Sequence, residues 1–344
     1  MFIAPLLAAA SSALLPLAPV PPAAQFKDWS VACDNTRRCE AVAAVAFDET
    51  GDNWVISVVR GGAADAAPRV EATPIFGDPV AAVQVLVDGK AAPFGFDADG
   101  RLTGDAAAFL SALAQARKVQ VVAQGGAVIG TLPTSGASAG LRWIDERQKR
   151  AGTVTAIVAR GRAAASTVTA VPPLPRIAQP PASAAPPRSL TPADVTAIRA
   201  LGECDGDVPP ETVANTYRLD AAHTVGIVGC FLGAYQGPSV IVVIDEAGRW
   251  TPAVIERAEP LPEEIEGYWS YLLTSAYYDP DTRLLSEWAK GRGLADCGRS
   301  ASWAWDGTVF RLASFAALDE CRGAQPGTLM SRWQTANAPL EGAD

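Results

Sequence analysis

The chain has 344 residues, with 37 acidic against 28 basic side chains and a net charge of −9. This length gives room for two cores. The acidity excludes nucleic acid and anionic lipid as electrostatic partners, because both demand cationic surface; acid excess of mixed sign suits a soluble exported protein.

Residues 1–24 read MFIAPLLAAASSALLPLAPVPPAA, apolar and without a charge. Prolines break this run before it reaches the ~20 apolar residues of a membrane span. It reads as a signal peptide, with the small Ala23 and Ala24 placing cleavage before Gln25. The Lys or Arg usual at the head of such a segment is missing, which leaves a misplaced start or another cleavage position open. Cys33 lies well past the segment, which argues against a lipid anchor. No later run is long enough to span. The mature chain is therefore expected to be periplasmic or secreted, without a transmembrane segment.

A first domain over 25–165 reads mostly as strands. Trp54 to Val59 and Ala82 to Val87 are buried-strand patterns, the second ending in the tight-turn pair Asp88-Gly89. Phe94-Gly95-Phe96, Asp97-Ala98-Asp99-Gly100 and Arg101-Leu102 read as strand, turn and strand. Asp105 to Arg117 fits a helix with Phe109, Leu110 and Leu113 on one face. Strands follow at Val119 to Ala123 and Val128 to Leu132, then a helix from Ser135 to Lys149 with Leu141 and Ile144 inward, then a strand at Val154 to Val158.

Residues 166–190 contain seven prolines among alanines. Such a stretch favours extended polyproline-II backbone and reads as a semi-rigid linker. The second domain, 191–340, opens with a helix signal, Thr191 as cap and Pro192 at the first helical position. Strands are expected at Thr216 to Asp220, Thr224 to Leu232 and Ser239 to Asp245, with a turn at Glu246-Ala247-Gly248 before Trp250. Tyr271 to Tyr278 and Thr282 to Trp288 flank Asp279-Pro280-Asp281 as a hairpin. Ser302 to Trp305, Asp306-Gly307 and Thr308 to Ser314 give another. The fold class expected is mainly β with some helix (α+β): two disulfide-stapled, antiparallel β-rich domains.

Six cysteines permit many pairings. Cys33 and Cys39 enclose the turn-prone Asp34-Asn35-Thr36-Arg37-Arg38, and Cys297 and Cys321 bracket the Trp305/Phe310 hairpin. Cys204 and Cys230 are then left to each other. No spacing matches a zinc site and His223 is the sole histidine, so disulfides are preferred over metal, and no cofactor is expected.

The opening Phe26-Lys27-Asp28-Trp29-Ser30-Val31-Ala32-Cys33-Asp34-Asn35 with Cys39 resembles bacterial proteins grouped as domain of unknown function 1176. So do Gly233-Ala234-Tyr235, Leu285 to Gly293, Asp296-Cys297-Gly298, Trp303 to Gly307 and Cys321-Arg322-Gly323. The resemblance covers most of the mature chain and implies a bacterial, exported protein without an established activity. The opening is also similar to the invasion-associated locus B family of secreted proteins, over the first domain alone.

Sites for chemistry are few. His223 sits in a turn with no Gly-x-Ser-x-Gly elbow in the chain, and reads as an ordinary turn histidine before a catalytic one. Glu263, Glu264 and Glu266 read as a solvated acidic stretch, and Glu287 beside Trp288 has no local carboxylate partner of the kind a glycosidase needs. Asp97-Ala98-Asp99-Gly100 and Asp279-Pro280-Asp281 lack the Glu that a calcium loop requires and read as turns.

All six tyrosines and six of nine tryptophans fall in the second domain. Alternation puts Trp303 and Trp305 on one side of their strand; it puts Tyr271 and Tyr277 together and Tyr278 opposite. Such a set either builds the core, which is favoured, or offers an aromatic face to sugars or a protein. Trp269 and Trp288 belong to the same crowd. Lys290-Gly291-Arg292-Gly293 is the best polar candidate, two cations beside a stapled loop that can hold an anion; the alternative is a turn whose Arg292 pairs with a nearby carboxylate. Arg322 is expected near that loop. The ligand-binding candidates are thus Lys290, Arg292, Trp303, Trp305 and Tyr277. The function expected is a non-enzymatic cell-envelope binding module for an unknown envelope ligand or protein. The alternative is a periplasmic hydrolase, marked by His223 or Glu287 in a deep pocket with a polar partner.

Overall fold

A computed structural model describes residues 15–44, 54–75, 81–208, 213–260 and 270–340. Glu263, Glu264, Glu266 and Trp269, and the first part of the expected signal peptide, lie outside the described residues. The described chain forms four five-stranded antiparallel sheets, two in each half, each made of strands close together in sequence. The first is a meander of β1 (Ala24–Phe26), β2 (Trp29–Cys33), β3 (Cys39–Ala43), β4 (Trp54–Arg60) and β5 (Arg69–Pro74). The second comprises β6 (Val83–Val87), β7 (Lys90–Phe96), β8 (Leu102–Thr103), β9 (Val119–Val122) and β10 (Val128–Leu132), in the order β10-β9-β6-β7-β8. Its β6–β7 turn uses Asp88 and Gly89, both at positive φ (47° and 77°), the two-residue geometry such pairs favour.

Helices α1 (Ala106–Gln115) and α2 (Ala137–Arg147) stand where the periodicity puts them. Asp105 caps α1, and Phe109, Leu110 and Leu113 enter a core built around Trp29, Trp54 and Phe96. Val154 to Val158, expected as a strand, is instead a run of turns. The reason is Asp145, fully buried, whose carboxylate accepts the amides of Ile157 (2.8 Å), Val158 (2.8 Å) and Ala159 (2.9 Å). A carboxylate gathering three successive amides leaves no ladder for a strand to join.

In the second half, α3 (Pro192–Leu201) has the full capping box: Thr191 and Asp194 exchange side-chain-to-backbone bonds. The third sheet holds β11 (Ala214–Arg218), β12 (His223–Gly229), β13 (Pro238–Asp245), β14 (Trp250–Pro252) and β15 (Leu272–Thr274); β14 and β15 both pair with β13. The fourth holds β16 (Tyr277–Asp279), β17 (Leu284–Lys290), β18 (Gly298–Trp305), β19 (Phe310–Leu318) and β20 (Met330–Gln334), in chain order. The third sheet is covered on both faces. Val228, Val240, Val242 and Ile244 meet α3 through Ile198, while Val225, Ile227 and Ile241 meet Trp303, Trp305 and Phe315 of the fourth sheet. This double burial explains why β12 and β13 are nearly continuous apolar runs rather than alternating ones.

The Tyr271–Tyr278 run is two strands in different sheets, not one. Ser275, at φ 48°, breaks it between β15 and β16. Tyr271 is therefore buried against the α3 side, with its hydroxyl donating to Leu201 O (3.2 Å), while Tyr277 is 56% exposed; they do not share a face.

All three expected disulfides are present: Cys33–Cys39, Cys204–Cys230 and Cys297–Cys321. The two halves meet along an apolar seam in which Ala32, Val42 and Val55 pack with Leu318, Ala324 and Met330. Beside it, Asn35 and Gln334 exchange two hydrogen bonds of 2.9 Å, and Gln334 Nε2 donates to Asp34 (2.6 Å). The Pro/Ala-rich stretch has no helix or strand from 170 to 190, and it is pinned to the second half. Pro175 O accepts from the Ala336 amide (2.8 Å), and Asn337 accepts from the Ile177 amide (2.8 Å). Residues 18–26, which include the end of the expected signal peptide, are built into the fold. Ala18 is buried in the second-half core with its amide donating to Arg257 O (2.9 Å), Ala23 packs on the seam, and β1 pairs with β2.

Candidate functional site

β17, β18 and β19 lie side by side, so that Glu287, Ala301 and Phe315 form one row across the fourth sheet. Alternation along β18 sends Arg299, Ala301 and Trp303 to that same face. The row looks toward β15 and the 256–260 segment that follows β14. Between them lies a cavity of about 260 Å³, walled by Leu272, Leu273, Trp303 and Phe315 and carrying Arg257, Glu287 and Arg299. Trp303 is fixed there by its indole N–H, which donates to Glu256 O (2.7 Å).

Glu287 is 3% exposed and fully engaged: Oε1 accepts from Arg299 Nε (2.8 Å) and Oε2 from the Thr274 amide (3.1 Å). A carboxylate whose two oxygens are held by a guanidinium and an amide is already engaged at both positions a proton transfer would use. Arg257 Nη2 donates to Ser270 O (2.7 Å) and Leu272 O (3.2 Å). Burial lowers its pKa to about 10, with Glu287 opposing and Arg299 adding to the drop, so it remains a cation at neutral pH. Glu259, also in the wall, is paired with Arg332.

The five residues expected to bind ligand do not converge on one exposed cleft. Trp303 lines this cavity, 2% exposed. Trp305, equally buried, donates its indole N–H to Asp220 (2.7 Å) at a separate depression beside Trp250 and His223. Neither offers a face to solvent. Tyr277 stands exposed on β16, an edge strand.

Lys290 lies over the ring of Tyr235 (5.6 Å). Arg292 grips Asp296 through two bonds (2.7 and 2.5 Å), so its structural alternative holds. Those bonds hold the Asp296 carboxyl below the usual carboxylate range. The glycines of this loop serve its fold: a Cβ on Gly291 would come within 2.5 Å of Cys297 Sγ, and Gly298 sits at φ 138°. Arg322 pairs with Glu320 and Asp28. Asp296, Cys297 and Cys321 cluster closely, but both sulfurs are spent in a disulfide and leave no metal site there.

His223 is oriented rather than free-turning. Its Nδ1 lies 3.0 Å from both oxygens of Asp220, which also accepts the amides of Ala222 and His223. Burial pushes the Asp220 carboxyl up, but the Ala222 amide, Trp305 and His223 outweigh it and leave it lowered. Among the described residues no serine, threonine or cysteine hydrogen-bonds the His223 ring, so a nucleophile–base pair is not assembled there.

Arg257 and Arg299 were not singled out from the sequence. The signal for Arg299 was present in parity: it sits two and four residues before the inward Ala301 and Trp303, as Glu287 sits two after the inward Leu285. A charged residue on an inward register is an informative observation. Arg257 lies outside any strand and carries no such mark.

These features define a class: an antiparallel β protein, triply disulfide-bonded, with a charged and aromatic cavity between two sheets. The family described as "Protein of unknown function (DUF1176)" matches residues 23–336, and the chain belongs to it. It is similar to the uncharacterized protein YpfG of Escherichia coli (strain K12), 28% identical over 339 residues, covering 90% of this chain and 92% of the relative. No solved structure matches. Among the described residues no helix is long and apolar enough to cross a membrane.

Proposed function

We propose that this chain is a non-enzymatic binding module of the cell envelope that takes a small ligand into the cavity between the sheets of its second half. The single observation that carries the reading is the pairing of aromatic walls with the Arg257–Glu287–Arg299 cluster in one cavity. Binding sites are mostly apolar hollows with a few placed polar groups. Three disulfides support an oxidising compartment, periplasmic or secreted. A hydrolase acting on an envelope component is the weaker alternative: Glu287 has both oxygens occupied, and His223 is oriented by Asp220 without a nucleophile beside it.

The test is a thermal-shift screen of the oxidised protein against small envelope metabolites and cell-wall fragments. A ligand at 100 times its Kd adds about 2.7 kcal/mol. The shift is expected to vanish in Ala301→Leu, which fills the cavity, and in Ala258→Phe, which fills it from the opposite wall. A ligand whose shift survives both fillings rejects this site.

A further inference from the structure

The end of the expected signal segment is packed as part of the fold. Ala18 is buried in the second-half core, and its amide donates to Arg257 O (2.9 Å). Pro21 O accepts from Nε of Arg332 (3.3 Å), whose side chain is 9% exposed. Among the described residues this is the one acceptor of that N–H, and a buried donor left unpaired is penalised. Ala23 packs on the seam between the halves, and Ala24 pairs with Val31 in β1, a strand of only three residues. Just upstream of Ala18, Pro16 and Leu17 are exposed.

The chemistry of leader removal agrees. Leader peptidases accept small side chains at the residue before the cut and two residues further back, the A-x-A pattern. A cut before Gln25 has Ala24 in the first position but Pro22 in the second; a cut after Ala23 meets Pro21 there. The run Ala8-Ala9-Ala10-Ser11-Ser12-Ala13 offers small side chains at both positions for a cut after Ala10, Ser11, Ser12 or Ala13. The family match also opens at residue 23, ahead of Gln25.

Resting on the export reading above, we infer that a leader peptidase of the exporting cell cuts this chain within the small-residue run, between Ala10 and Leu14, and that residues 15–24 stay on the mature protein as a structural arm. Water adds across that one peptide bond, leaving a carboxylate on the removed leader and an ammonium on the retained chain. The new ammonium then lies upstream of the exposed Pro16 and Leu17, and the contacts of Ala18, Pro21, Ala23 and Ala24 are kept.

Expression of the full chain in an exporting bacterium, followed by intact mass and amino-terminal sequencing of the periplasmic product, tests this. The product is expected to have lost 10 to 13 residues. A product beginning at Ala24 or Gln25 overturns the inference. Ala24→Leu puts a large side chain before the cut expected ahead of Gln25, and it should leave the start of the product unchanged. Ala10→Leu, Ser11→Leu, Ser12→Leu and Ala13→Leu combined should instead leave the precursor uncut, because no small pair remains in the run. Processing that is lost in Ala24→Leu, or that survives in the fourfold variant, also overturns the inference. Full-length chain retained in the cytoplasm rejects the export reading and the inference together, whereas an exported product starting at Gln25 rejects the inference alone.

Discussion

Glu287 illustrates how one side chain can be structural and still set up a site. It pairs with the half-exposed Arg299 guanidinium and fixes it at the cavity wall. Removing its charge leaves Arg299 without its ion-pair partner. Glu287→Gln is therefore expected to cost about 3 kcal/mol, the lower end for breaking a buried pair because Arg299 is half-exposed; urea denaturation measures it. Asp296 offers a test by pH. Its carboxyl is lowered by Arg292, so its contribution is present above the unfolded value of 3.8 and is lost as pH falls through the lower folded value. The stability gap between the parent and Asp296→Asn should accordingly hold at pH 6 and shrink below about 3.8 in urea melts; a gap that widens in acid would contradict the assignment.

Strands and staples act together in the second half. The Cys297–Cys321 bond closes a loop that contains the whole β18–β19 hairpin, and Cys204–Cys230 ties the end of α3 to the end of β12. By chain entropy, loops spanning 24 and 26 residues are each worth about 3.5 kcal/mol, and the 6-residue span of Cys33–Cys39 about 2.4 kcal/mol. Paired Cys→Ala variants should follow that order in melting temperature. The hairpins, the three α-helices and all three pairings were legible because each rests on local signals: turn pairs, caps and periodicity. The failures are equally physical. Val154 to Val158 has strand composition, but a buried Asp145 from a neighbouring helix captures its amides, and no local pattern announces that. The break at Ser275 divides an aromatic run between two sheets, since serine carries no turn signature of the glycine kind. Trp303, Trp305, Tyr271 and Tyr278 are buried, as the core reading expected, while Tyr277 is exposed; the cations of the cavity come from register and from an irregular segment.

Among the described residues, the two halves are joined by contacts as well as by the chain itself. The seam of Val42, Val55, Leu318 and Met330, the Asn35–Gln334 exchange and the pinned proline-rich stretch all cross between them. Residues 18–24 add a further tie, since Ala18 and Val20 pack in the second half and Ala24 in the first. A chain beginning at Gln25 forgoes that burial and part of β1. It is expected to lose about 2 kcal/mol relative to one beginning before Ala18, read by parallel thermal melts. Equal melts would show that the segment contributes nothing.

The cavity is the centre of this account, and a crystal of the oxidised protein soaked with bromobenzene tests it most directly. Anomalous scattering is predicted to place the bromine among Leu273, Trp303 and Phe315. Bromine found only elsewhere, or nowhere, would contradict it.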